Sequence, residues 1–496
     1  VAGLARASFA AAPALVGLRL GAGVAARFAS LDPSSVARVV AVEPVASSGS
    51  YVEELLKRNV ASQFIAHKRV MEGRDKLLGR IRAGSPVGCN GFLLARPFLE
   101  SLDSLPDAAE IASRPDVFVI GVGIASRASL RVEGVPPFWV EGPTYRSHPA
   151  RLFDAIGDGL EGLPAASDGP FPGALEARTA SGRAAVDLGD EGRSFCATLH
   201  DAPGRERGFL FLSPGPNDRS GPHGLYGRLA SALAASGSPV LRVDPVGVGE
   251  SHGDDSTEQD RSIAEVYREI NEGRHVPAAE AGIAWLRERG VREIVLFGLC
   301  GGASTAALAA GRGGARGLRL VLLGMPVLHQ GVGVDQVLSE RHVDEEMAVM
   351  RGKLRDPAAI LRLLTFRSDY RVIGKVLRAR LARLRPRRRR DAALHPQTNR
   401  NLLEAWERFR SSSGRTTFVY SEQDRLLALF REHFAPLARG QGLPPGTDLR
   451  ILEGTNHNVT DRGAERRLAG LLEDVAAGRE FATSPPAEGA PAGAAR

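Results

Sequence analysis

Strands that alternate with helices along most of the chain predict an α/β fold with a mostly parallel sheet and helices on both faces. Three observations carry this. Apolar runs such as 294–297 (I-V-L-F) and 318–323 (L-R-L-V-L-L) lack polar alternation, as strands covered on both sides do. Stretches of helical length lie between such runs, at 225–235 and 263–289. The strands end in glycine-rich or acidic turns.

The 496 residues leave room for two or three domains. The composition, 43% hydrophobic and 24% charged, is that of a globular protein. No apolar run reaches the ~18 residues of a membrane span. The N-terminus has some signal-peptide character but no leading basic region or clean cleavage box. It begins with Val, which leaves room for residues upstream. Cys89, Cys196 and Cys300 have no paired spacing, which argues against a disulfide framework or a zinc site and fits a reducing cytoplasm. The net charge of +7 is concentrated in one segment, so no nucleic-acid partner is expected.

In chain order, Ala14-Leu15-Val16 leads into Gly17-Leu18-Arg19-Leu20-Gly21, a strand running into a turn. A second strand lies within 36–45 and another at 117–120. The same plan returns later. Gly17 and Gly298 lie 281 residues apart, and Pro44 and Pro326 lie 282 apart. A nearly constant offset across two landmarks indicates a duplication. The first copy starts at the turn, so the strands that should precede it are missing. It has Arg19 where a nucleophile would stand, and arginine cannot be deprotonated in a protein. It has Ile124 where the second copy has Asp424. Residues 1–160 therefore read as a partial, degenerate half without a nucleophile, expected to be a passenger in any chemistry.

Residues 161–176 are rich in Pro and Gly and read as a linker. Short strands follow at 184–188 and 195–199; the second alternates, with Cys196 as a structural residue. Next come a strand at 208–213, a helix at 225–235, a strand at 239–243, and a helical stretch broken near Pro277. Gly247-Val248-Gly249 with Gly253 is one residue out of register for a dinucleotide-binding turn, and no helix follows at once. Residues 327–410 interrupt the rhythm and read as a helical cap inserted over a site. Within it, the stretch from Arg371 to Arg390 holds ten Lys or Arg and no acid. It reads as a solvated basic face; the alternatives are an anionic substrate or peripheral contact with a membrane surface, with the Arg387–Arg390 run foremost. A strand at 416–420, a helix from 426, a strand at 449–452 and a helix capped by Asp461 complete a domain at 177–480. The tail, 481–496, is Pro/Ala/Gly-rich and expected to be disordered.

The chemistry gathers at strand ends. Gly298-Leu299-Cys300-Gly301-Gly302 has the spacing of a nucleophile elbow, with cysteine in the serine position. The helix that follows aims free N–H groups and its positive end at the sulfur. Asp424 and His457 also follow predicted strands, and ligand sites of open parallel sheets lie beyond those carboxyl ends. The order nucleophile, acid, His is that of the α/β-hydrolases. His457 would take the thiol proton and Asp424 would hold its tautomer, with Glu422 as the runner-up acid. The oxyanion donors would be the N–H of Gly301 and, because Pro214 and Pro216 have none, that of Gly215 or Asn217.

On Ser213–Tyr226, Asp244–Ser251, Gly298–Ala303 and Tyr420–Asp424, residues 175–480 resemble α/β-hydrolases of the serine aminopeptidase-like group, most closely the type-1 hydrolase associated with exosortase A systems. On Gly17–Ala22, Val42–Val45 and Pro136–Trp139, residues 1–155 resemble part of its type-2 companion. The resemblance implies an α/β-hydrolase fold preceded by a truncated half, and a link to bacterial exopolysaccharide and protein-sorting loci. The expected activity is cleavage of an ester or thioester by Cys300, His457 and Asp424, without metal or cofactor, on a small-molecule or lipid- or glycan-linked acyl substrate. Acyl transfer with the same triad, or a non-enzymatic scaffold in exopolysaccharide assembly, are the alternatives.

Overall fold

The computed structural model describes residues 12–67, 70–89, 91–122, 128–133, 144–145, 150–163, 183–189, 194–204, 206–215, 217–253, 261–329, 397–434 and 442–479. The basic stretch from Arg371 to Arg390, most of the linker, position 124 and the tail lie outside them.

The leading unit runs β1 (Ala14–Leu18), α1 (Leu20–Leu31), β2 (Arg38–Val42), α2 (Ser48–His67), α3 (Arg74–Arg82), the hairpin β3 (Val87–Cys89) and β4 (Phe92–Leu94), α4 (Arg96–Leu102), α5 (Ala108–Ser113), β5 (Val117–Gly121), β6 (Leu130–Arg131), β7 (Thr144–Tyr145) and α6 (Ala150–Leu160). Its sheet is parallel, in the order β1-β2-β5-β6. The alternating faces of β2 go to different helices. Val39 and Ala41 meet Ala22, Ala25, Ala26 and Ala29 of α1, whose small side chains let it lie close. Val40 and Val42 meet Leu152 and Ala155 of α6. β1 is an edge among the described residues, and its Val16 and Leu18 stay 49% and 37% exposed.

The second unit runs β8 (Arg183–Asp187), β9 (Cys196–His200), β10 (Arg207–Leu212), α7 (Leu225–Ala235), β11 (Val240–Val243), β12 (Arg261–Ser262), α8 (Ile263–Glu272), α9 (Val276–Glu288), β13 (Glu293–Leu299), α10 (Gly301–Gly313), β14 (Leu318–Leu323), α11 (Arg400–Ser411), β15 (Arg415–Ser421), α12 (Arg425–His433), β16 (Thr447–Leu452) and α13 (Arg462–Ala476). The helix break falls at 273–275, where Gly273 takes φ +93°, and Pro277 sits in the first turn of α9, where it costs no hydrogen bond. Eight strands form one sheet in the order β8-β9-β11-β10-β13-β14-β15-β16. Only β9 runs against its neighbours. That order and those directions make this unit an α/β-hydrolase fold.

Both faces of this sheet are covered. Leu210, Leu212, Leu296 and Leu320 pack under α9, α10, α11 and α12. Phe209, Phe211, Val295 and Phe297 pack under α7 and α13. This two-sided burial is why β13 and β14 read as unbroken apolar runs.

The structure corrects one boundary. α11 was expected at the end of the cap, but Leu402, Ala405, Trp406 and Phe409 lie in the central core, against α10. The insertion therefore ends before Arg400. Its two ends are pinned together: His329 N–H donates to the Gln397 carbonyl (2.9 Å), Asn399 N–H donates to the Val327 carbonyl (3.0 Å), and Leu328 bridges Thr398. Residues 330–396 lie outside the described residues. The two units meet where β7 pairs with β12 and where Phe92, at the β3–β4 turn, stands edge-on to His223 with centroids 6.2 Å apart.

Candidate active site

The β13–α10 junction is a strained turn. Cys300 takes φ 54° and ψ −112°, which a side chain rarely adopts. Two glycines permit it. A Cβ on Gly298 would lie 2.2 Å from the Gly302 carbonyl carbon, and one on Gly302 would lie 2.2 Å from the Leu212 oxygen. Tyr226, fully buried, braces the turn: its hydroxyl accepts from Leu299 N–H (2.7 Å) and donates to the Leu212 carbonyl (3.1 Å). Losing that hydroxyl would leave two buried backbone groups unmatched, at roughly 1–3 kcal/mol each.

Asp424 caps α12, with one carboxylate oxygen on Leu426 N–H (2.9 Å) and the other 2.7 Å from His457 Nδ1. The Cys300 sulfur lies close enough to the imidazole to raise its pKa. Burial by itself would lower the His457 pKa. Its interactions with Asp424 and with the Cys300 sulfur outweigh it and hold the imidazole well above its ordinary value. Cys300, His457 and Asp424 thus converge from the ends of three parallel strands. Glu422 is exposed and is used otherwise, accepting from Gly454 N–H at 2.8 Å, so it steadies the loop that carries His457.

Gly301, as the first residue of α10, has an N–H with no acceptor inside its helix. Gly215 packs directly on it: a Cβ on Gly301 would come within 2.9 Å of the Gly215 N and Cα. The Gly215 N–H, however, donates to the Ser213 carbonyl at 3.0 Å. Asn217 is exposed, and its amide donates to the Pro214 carbonyl at 3.4 Å. The expectation that Gly215 supplies the second oxyanion donor is corrected: its N–H lies beside Gly301 but is spent on the Ser213 carbonyl.

Three residues here were not singled out from the sequence. Gly324 follows β14 with φ +57°, and a Cβ there would lie 2.9 Å from His457 Cε1 and 3.0 Å from an Asp424 oxygen. Tyr267 on α8 brings its hydroxyl 3.2 Å from Cys300 Sγ. His223 accepts from the Arg228 guanidinium on Nδ1 (2.9 Å), so Nε2 carries the proton and donates to the carbonyl of Asn458, beside His457 (2.9 Å). Only Gly324 had a local signal, a glycine at a strand end.

The other thiols are elsewhere. Cys89 is buried in the α2–α4 insertion and donates to the Leu55 carbonyl (3.1 Å); Cys196 donates to that of Glu250 (3.0 Å). Burial pushes both thiols up. Among the described residues no three His, Cys, Asp or Glu side chains converge to hold a metal, and no helix is long and apolar enough to cross a membrane.

No protein-family model matches the chain, and no curated protein does. Among solved structures, the chain is similar to a thioesterase domain from the curacin biosynthetic pathway, with 16% identity over 59% of this chain and 99% of that one, at a TM-score of 0.34. It is similar to a haloalkane dehalogenase from Agrobacterium tumefaciens C58, with 19% identity over 59% and 96%, at 0.35. It is similar to a proline iminopeptidase from Mycobacterium smegmatis, with 16% identity over 59% and 100%, at 0.34. Likeness at this level says nothing of chemistry, and the fold is read from this chain's own strand order.

Proposed function

We propose that the second unit is an acyl hydrolase acting on ester or thioester bonds through Cys300, His457 and Asp424. One observation carries the reading: His457 shares a 2.7 Å hydrogen bond with a buried carboxylate and is influenced by the sulfur of Cys300, which is held at a strained strand–helix turn. In this reading His457 takes the thiol proton and Sγ attacks the substrate carbonyl carbon. The carbonyl π pair moves onto oxygen, facing the Gly301 N–H. Collapse expels the alkoxide or thiolate, which receives the proton from His457, and leaves an acyl group on sulfur. Water, deprotonated by His457, then releases the acid and restores the thiol. Asp424 holds the proton on Nδ1 and stabilises the imidazolium without taking the proton itself. No step calls for a metal or cofactor.

The motif resemblance supports a substrate drawn from bacterial exopolysaccharide assembly, and the unpaired spacing of the three cysteines supports a reducing cytoplasm. The basic stretch from Arg371 to Arg390 supports an anionic partner. Replacing Arg387–Arg390 with Gln should then weaken binding to anionic vesicles, by about 1 kcal/mol per charge. Equal binding by both proteins at low salt leaves the solvated-face reading.

The test of the activity is a panel of esters and thioesters with the wild type and Cys300→Ala. Turnover in the wild type that falls about 10³-fold or more in the variant supports the reading. No turnover of any member removes it in favour of a scaffold. Products that incorporate an added alcohol or sugar rather than water make the enzyme a transferase.

A further inference from the structure

The proposed reaction needs two donors for the oxyanion, and the backbone clearly supplies one. The Gly301 N–H stands at the positive end of α10. The Gly215 N–H, the natural second, is committed to the Ser213 carbonyl. Another group occupies that place. Tyr267 enters from α8, with its hydroxyl 3.2 Å from Cys300 Sγ. Its ring lies against Gly215: a Cβ there would be 3.0 Å from the Tyr267 hydroxyl and 3.2 Å from its ring carbon. Gly215 is thus bare on the side where Tyr267 passes, and Gly301 is bare where Gly215 packs.

We propose that Tyr267 is a catalytic residue whose hydroxyl serves the nucleophile and then the oxyanion. This rests on the acyl-hydrolase reading. In the resting site the phenol O–H donates to the Cys300 sulfur. When Sγ bonds to the carbonyl carbon, the sulfur gives up its charge, and the negative charge moves to an oxygen one bond beyond that carbon. A donor that touches Sγ is within reach of that oxygen. The O–H turns to it and remains a phenol throughout, so no proton is consumed. Burial and the neighbouring Cys300 charge keep Tyr267 protonated far above neutral pH, as a donor must be.

The test is Tyr267→Phe, which keeps the ring that packs on Gly215. Two measurements separate the claims. The first follows the rate of Cys300 alkylation by iodoacetamide against pH. It needs no substrate and should show the thiolate form displaced to higher pH in the variant. The second follows acylation of Cys300 by p-nitrophenyl acetate, with kcat expected to fall about 10²–10³-fold, as loss of one oxyanion donor does, and KM little changed. A displaced alkylation profile with normal acylation overturns the oxyanion role. An unchanged profile with unchanged acylation overturns the proposal outright. If the wild type itself is never acylated, the acyl-hydrolase reading fails and takes this one with it, whatever the alkylation profile. The thermal midpoint, expected to match the wild type, separates these outcomes from misfolding.

Discussion

Arg19 and Cys300 hold the same backbone conformation: φ 52° and ψ −117° at one, φ 54° and ψ −112° at the other. Their surroundings match as well. Arg19 N–H donates to the Val42 carbonyl (2.9 Å) as Cys300 N–H donates to that of Leu323 (2.8 Å), and both pairs are 281 residues apart. β1 and β2 share the register of β13 and β14, with Val16 opposite Val40 and Phe297 opposite Val321. A Cβ on Gly17 would meet the next helix as one on Gly298 would. One difference is informative. Gly302 is crowded by the Leu212 oxygen of β10, whereas among the described residues no strand lies beyond β1 and nothing comes near Gly21.

The leading elbow has the same strained backbone with an arginine in place of the thiol. Arg19 reaches out to Glu54 at 2.8 Å. Glu43, at φ 43°, stands where the second unit needs Gly324, so the space given there to His457 and Asp424 here receives a glutamate, which accepts from Val122 N–H at 2.7 Å. Arg19→Cys should therefore gain no acyl-enzyme at position 19 when treated with an activated ester. Its cost in stability should be on the order of 1 kcal/mol, from loss of the partly buried ion pair with Glu54. Acylation at position 19 would show that the leading unit retains a working site.

Gly324→Ala should damage catalysis more than folding. The left-handed backbone costs roughly 1–2 kcal/mol with a side chain. The new methyl presses on His457 and Asp424, and a shift of about 1 Å in such a group costs on the order of 10² in rate. Measured kcat should fall by about that factor while the protein remains folded by circular dichroism. An unchanged kcat would mean that the pair has room to spare.

His200 predicts an acid-sensitive window. Its Nε2 accepts from Arg242 Nε at 3.0 Å, so the ring must be neutral. Burial, then the charges of Arg242 and Arg183, lower its pKa from 6.5 to about 3. The unfolded chain therefore takes up this proton first, and stability falls as pH drops from about 6.5 towards about 3. His200→Gln keeps an acceptor for Arg242 without titrating. Urea midpoints should fall less steeply across that window in the variant; parallel slopes would assign the acid sensitivity elsewhere.

The leading unit touches the site without joining it. Phe92 packs edge-on against His223, which holds the carbonyl next to His457. Phe92→Ala should loosen that brace, lowering turnover several-fold at most, well short of the loss from His457→Ala, because the triad contacts remain. Turnover equal to the wild type would make the leading unit the passenger its sequence suggests.

The elbow, Asp424 and His457 were legible because each sits where a buried strand stops, and chain order supplied the pairing. The helix at 225–235 was legible to the residue, since its ends are set by local glycines and a tight turn. Tyr267 and His223 were not: their roles depend on which side chain a distant helix or loop brings to Sγ or to Asn458. At Gly215 the oxyanion loop misled because its prolines show which N–H groups exist, not that the turn itself consumes one. The cap boundary misled because α11 is amphipathic whether it covers a site or flanks a sheet, and only its contact with α10 decides.

The most direct test of the Cys300–His457–Asp424 assignment is to capture the acyl-enzyme. The wild type is mixed with an activated ester, quenched in acid and weighed intact, and the acylated peptide is then mapped. One acyl group is expected on Cys300 that disappears with time, with greatly slowed formation in His457→Ala and none on Cys89 or Cys196. Acylation spread over all three thiols at similar rates, or an adduct that forms as fast without His457, would contradict it.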